Sequence, residues 1–134
     1  MKKIEHIGIA VKDIDTSNAI FEKIFKKTPY KLEKVESEGV ITSFFEIGNN
    51  KIELVAVTNK ESPIFNFLEK RGEGIHHIAF AVEDIVKEMK RLKKEGIRLL
   101  NELPREGADN KLICFLHPKD TNGVLIELCQ EIKQ

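Results

Sequence analysis

Two histidines and two glutamates are the residues of this chain whose types and spacing could do chemistry. His6 opens the phrase HIGIAVKDI and His77 opens HIAFAVEDI, 71 residues later, with six of the nine positions identical. Glu53 lies in KIELVAV and Glu127 in VLIELCQ, 74 residues apart and sharing Ile-Glu-Leu. Nearly equal offsets assign both pairs to one internal duplication. Two imidazoles and two carboxylates suit a divalent ion such as Co²⁺, Mn²⁺, Ni²⁺, Mg²⁺ or Zn²⁺, whose charge the carboxylates would neutralise. Four protein ligands leave two positions of an octahedral ion open, and Gly8, Ala10, Ala79 and Ala81 keep the adjoining surface small. Such a donor set belongs to a catalytic site, not to a closed structural one. Taken singly, each residue reads more simply as a packed His or a solvated Glu; the repetition tips the balance toward a metal.

The elements that must hold these groups follow from periodicity. His6, Gly8 and Ala10 alternate with Ile7, Ile9 and Val11, and His77, Ala79 and Ala81 alternate with Ile78, Phe80 and Val82, so each phrase is a strand with a large apolar face. Glu53 and Glu127 alternate with Ile and Leu in the same sense. A helix covers each apolar face, through Ile20, Phe21, Ile24 and Phe25 in the first copy and Val86, Met89 and Leu92 in the second, with Asp13 and Asp84 as caps. Hairpins follow, around Gly48-Asn49-Asn50 and around a loop ending in Asn122-Gly123. The remaining strand is KLEKVESEG or its neighbour in copy one and IRLL in copy two. Between the halves, SPIFNFLEKRGEG reads as a helix capped by Ser62, with Pro63 first and Gly72 at its end.

Composition sets the broad class. With 134 residues, 41% hydrophobic and 33% charged, the chain suits one globular domain. Twenty-two basic residues balance 22 acidic ones, so no global field attracts nucleic acid or an anionic membrane. MKKIEHIGIAV is too short and interrupted for a signal peptide, and no apolar run approaches a membrane span, so a cytoplasmic location is expected. Cys114 and Cys129 lie in apolar runs without C-x-x-C spacing and read as buried thiols. His76 alternates away from His77 and has no counterpart in copy one, where Glu5 stands; His117 begins a loop. Neither is expected to be a ligand.

These residues resemble the vicinal-oxygen-chelate superfamily, also called the glyoxalase and bleomycin-resistance fold, along the entire chain. The resemblance implies an α+β fold of two tandem βαβββ modules forming a cupped mixed sheet around a metal site: module one about 1–58, a linker helix about 61–72 and module two about 73–134. The superfamily's metal ligands fall on His6, Glu53, His77 and Glu127, Glu53 standing where many relatives have Gln. Within the superfamily, SPIFNFLEKRGEGIHHIAFAVEDI and GADNKLICFLHPKDTNGVLIELCQ are similar to the methylmalonyl-CoA epimerases. That likeness implies inversion at C2 of a CoA thioester through a metal-stabilised enolate, with Co²⁺ as the first choice of ion, Glu127 and then Glu53 as proton-handling groups, and a homodimer. In ESEGVITSFF, Thr42 stands near a position where some epimerases carry a Glu. Lys111, Lys119 and Arg71 read first as solvated charges and second as contacts for CoA phosphates. The rival reading is glyoxalase I, a lactoylglutathione lyase, against which the loop HPKDTNG argues. An extradiol dioxygenase would use two His and one carboxylate, and a drug-sequestering protein would lack the full ligand set.

Overall fold

Residues 1–133 are described by a computed structural model. In chain order the elements are β1 (Lys3–Ala10), α1 (Ile14–Phe25), β2 (Lys31–Val35), β3 (Val40–Ile47), β4 (Asn50–Val57), α2 (Pro63–Arg71), β5 (Gly74–Ala81), α3 (Ile85–Lys94), β6 (Arg105–Gly107), β7 (Lys111–Phe115) and β8 (Ile126–Glu131), with short 3-10 turns at Glu36–Glu38 and Pro118–Asp120. The order is β-α-β-β-β, a helix, then β-α-β-β-β, as the duplication requires of an α+β chain. Two compact units form, one of Ile7–His76 and one of Met1–His6 with the chain from His77 onward, so the division falls inside β1.

In the unit 7–76 the strands run β2-β3-β4-β1, with β3 antiparallel to both β2 and β4. The β3–β4 hairpin closes through Gly48 and Asn49, with Ile47 opposite Asn50 and Gly48 at φ 60, a left-handed position that glycine adopts without strain. Phe45, Leu54 and Ala56 form the face that meets α1, where Ile14, Phe21 and Phe25 pack with Val11. The expected helical cover is only half right, since Ile20 and Ile24 are 49% and 61% exposed. The cause is geometric: one residue of helix is about 100° of rotation, which carries both isoleucines off the stripe that Phe21 and Phe25 define. Asp13 caps α1 by accepting from Thr16 N at 3.0 Å. Ser62 caps α2 by accepting from Ile64 N at 3.3 Å, and Ile64, Phe67 and Leu68 pack against Val40 and Val55.

In the other unit the order is β1-β5-β8-β7-β6. β5 and β8 are parallel with Ala79 opposite Glu127, and β7 runs antiparallel to both β6 and β8. Cys114, Leu116 and Leu128 meet Ile85, Met89 and Leu92 of α3, while the alternate residue Ile113 packs with Ala79 and Cys129. Val86, expected in the cover, is exposed instead. Asp84 caps α3 by accepting from Lys87 N at 3.1 Å.

The fourth strand of this half is not IRLL. Leu99 makes only an isolated bridge to Leu116, and the edge strand is Arg105–Gly107. Ile97 and Leu99 turn into the α3 core, and the Asn101 side chain takes the Phe115 N–H at 2.9 Å, so the ladder is interrupted before it can extend. Gly107 permits the late edge to approach: an added Cβ would stand 2.8 Å from Ile113 Cδ1.

Candidate metal centre

Three strands of one unit deliver His6, His77 and Glu127 to a common point. Glu127 is paired with Ala79 across β5 and β8, and His77 lies two residues before Ala79 on the same face, so the imidazole leans over a small neighbour toward the carboxylate. His6 Nε2 lies 3.2 Å from His77 Nε2 and 3.7 Å from Glu127 Oε2, and His77 Nε2 lies 3.5 Å from Glu127 Oε1. All three side chains are buried, and their ligand atoms lie within 4.8 Å of one another. Ligands about 2.1 Å from one ion stand roughly 3.0–3.4 Å apart at octahedral or tetrahedral angles, close to these separations. A carboxylate so far from water is stabilised by nearby positive charge, which a cation among these donors would supply. The donor set is compatible with a divalent ion.

The surroundings are apolar on one side and cationic beyond. Phe115, opposite Glu127 in the β7–β8 ladder, sets its ring edge-on to His77 at 6.0 Å, and the Arg105 guanidinium lies 6.0 Å from the Phe115 centroid. Neither Phe115 nor Arg105 stands out in the sequence, because neither belongs to the repeated phrases. Their signal is register, which is legible only once Phe115 is known to face Glu127.

A profile described as the Glyoxalase/Bleomycin resistance protein/Dioxygenase superfamily matches residues 5–115. The chain belongs to that superfamily. Among its relatives is the ethylmalonyl-CoA/methylmalonyl-CoA epimerase of Cereibacter sphaeroides, 40% identical over 96% of this chain and 97% of the relative. The mitochondrial methylmalonyl-CoA epimerase of Homo sapiens is 38% identical over 96% of this chain and 73% of its own. A solved variant of the Streptomyces coelicolor methylmalonyl-CoA epimerase, in complex with 2-nitronate-propionyl-CoA, superposes with a TM-score of 0.95 at 33% identity, covering 99% of both chains.

Glu53 lies on β4 in the unit 7–76, buried and opposite Phe44; the three-residue cluster is His6, His77 and Glu127. Thr42 is buried on β3, and its hydroxyl donates to the Glu33 carbonyl at 3.3 Å, so it offers no carboxylate. His76 is set edge-on to Phe67, and His117 caps the second 3-10 turn by accepting from Lys119 N at 3.2 Å. Lys119 and Arg71 are exposed, the latter over the Phe67 ring. Lys111, read first as a solvated charge, is instead buried, its ammonium 3.8 Å from Asp109 and 3.9 Å from Glu131. It lies on the same strand face as Ile113. Cys114 and Cys129 are buried free thiols, and burial pushes the Cys114 thiol above its ordinary value. Among the described residues no helix is long and apolar enough to cross a membrane.

Proposed function

We propose that this chain epimerises methylmalonyl-CoA at C2 with a divalent ion held by His6, His77 and Glu127, and by Glu53 as the fourth ligand of the sequence repeat. The observation that carries this reading is a buried His–His–Glu cluster in a chain 38–40% identical to proteins named for that reaction. Co²⁺ is the first choice, with Mn²⁺, Ni²⁺, Zn²⁺ and Mg²⁺ as alternatives. Bound there, such an ion supplies Lewis acidity that eases the growth of negative charge on the thioester oxygen.

The protein groups do the rest. Inversion requires a proton to leave one face of C2 and another to arrive on the opposite face, so two groups must alternate as acid and base. Glu127 serves one face and Glu53 the other. The edge of Phe115 beside His77 keeps water from that side, which strengthens the electrostatics within. The substrate is a CoA thioester, and the crystallised relative bound to 2-nitronate-propionyl-CoA supports that class. The reading extends to a homodimer in the cytoplasm, where two buried free thiols suit a reducing compartment.

The metal-loaded protein, incubated in heavy water with methylmalonyl-CoA, is expected to place deuterium at C2. A parallel incubation with the methylglyoxal–glutathione hemithioacetal is expected to yield no lactoylglutathione. Lactoylglutathione without deuterium exchange would replace this reading with glyoxalase I.

A further inference from the structure

The duplication is broken at the residue beside the cluster. His76 precedes His77, whereas Glu5 precedes His6. A glutamate on an alternating strand is ordinarily solvated, yet Glu5 is 4% exposed. Its Oε1 lies 3.6 Å from His6 Nδ1, while the other ring nitrogen, Nε2, faces His77 Nε2 at 3.2 Å and Glu127 Oε2 at 3.7 Å. The two nitrogens of His6 therefore look at different partners. A neutral imidazole carries one N–H and one lone pair, and an ionised carboxylate can only accept. With Glu5 on the Nδ1 side, the proton belongs at Nδ1 and the lone pair at Nε2, the nitrogen that points into the cluster. A closure of roughly 0.5 Å turns the Glu5–His6 approach into a hydrogen bond.

We propose that Glu5 is a positioning residue: it holds His6 as the Nδ1–H tautomer, so that the Nε2 lone pair is presented to the cation. This rests on the metal reading of His6 given above. A carboxylate behind a ligand histidine fixes the ring's orientation and raises its basicity, and loss of such a partner weakens metal binding about 10–100-fold. The second copy has no such device at the matching position, where His76 is set against Phe67 at 4.9 Å.

The test has two arms. In the metal-free protein, ring ¹⁵N shifts of His6 are expected to show the Nδ1–H form, and E5A is expected to give a mixture with the Nε2–H form. By chelator competition, E5A is expected to bind Co²⁺ about 10–100-fold more weakly than the unaltered chain, with E5Q between them because its amide oxygen still accepts. H76Q is expected to leave affinity unchanged. A merely structural Glu5 would lower the melting temperature of the metal-free chain while leaving both the tautomer and the Co²⁺ affinity of the folded protein as they were, and that result overturns the proposal. If E5A does not fold, the near-isosteric E5Q carries the comparison, and an affinity equal to that of the unaltered chain overturns it. If the unaltered chain binds no divalent ion, the metal reading fails separately, and the ring ¹⁵N shifts, recorded without metal, still decide what Glu5 does.

Discussion

His77 combines three roles that a single truncation would remove together: its Nε2 faces Glu127 at 3.5 Å and His6 at 3.2 Å, and its ring rests on the edge of Phe115. H77A leaves the buried Glu127 carboxylate with one imidazole fewer and leaves a gap beside Phe115. We expect H77A to abolish Co²⁺ binding at micromolar metal and to slow C2 exchange at least 10²-fold, comparable to the loss of a general acid or base. Equilibrium dialysis and the heavy-water assay read the two effects separately. Retention of both would remove His77 from the site. His76, one residue away, packs with Phe67 instead, because adjacent strand residues face opposite sides. That contrast was legible in the sequence. The burial of Glu5 and of Lys111 was not, since each depends on which chain segments cover its strand.

The segment following α3 shows how one element is held without a ladder. Asp120, in the turn between β7 and β8, accepts from Arg98 N at 2.8 Å, from Nε at 3.0 Å and from Nη2 at 2.9 Å. These bonds tie Arg98 to that turn while Ile97 and Leu99 enter the core. The Arg98 hydrogen bonds hold the Asp120 carboxyl well below the ordinary carboxylate range, and Asp120 raises the guanidinium in turn. A lowered folded-state pKa means that the stabilisation is complete above the unfolded value, near 3.8, and is lost as pH falls through the folded value. We therefore expect the urea midpoint to decline between about pH 5 and pH 2, and D120N to flatten part of that decline. Equal slopes for the two proteins would show that the pair carries no pH-dependent stability. IRLL was read as a strand because its residues favour one. The outcome turned on side-chain bonds from Asp120 and Asn101, which no local propensity encodes.

At the scale of the whole chain, metal binding at the proposed site would be linked to folding. The three clustered ligands come from β1, β5 and β8, that is, from residues 6, 77 and 127, so no short segment of the unfolded chain reproduces the site. An ion that binds only the folded form at 100 times its dissociation constant adds about 2.7 kcal/mol. For a chain of this length that is a rise of roughly 10 °C in melting temperature. Thermal unfolding with and without Co²⁺ should show the rise in the unaltered chain and none in H77A. An equal rise in both would place the binding elsewhere.

Local order along the chain was enough for the duplicated strand-helix plan, the caps at Asp13, Ser62 and Asp84, the strand alternation and the separation of His77 from His76, because each is set by periods of two or 3.6 residues or by a side chain bonding its own neighbours. Repetition also singled out His6, Glu53, His77 and Glu127. It took the folded chain to show that Arg105–Gly107 replaces IRLL as the edge strand, that Phe115 adjoins His77 with Arg105 over its ring, and that Glu5 lies against His6 Nδ1. Those outcomes depend on register and on burial by residues distant in the chain, and such long-range pairings leave no trace in local order.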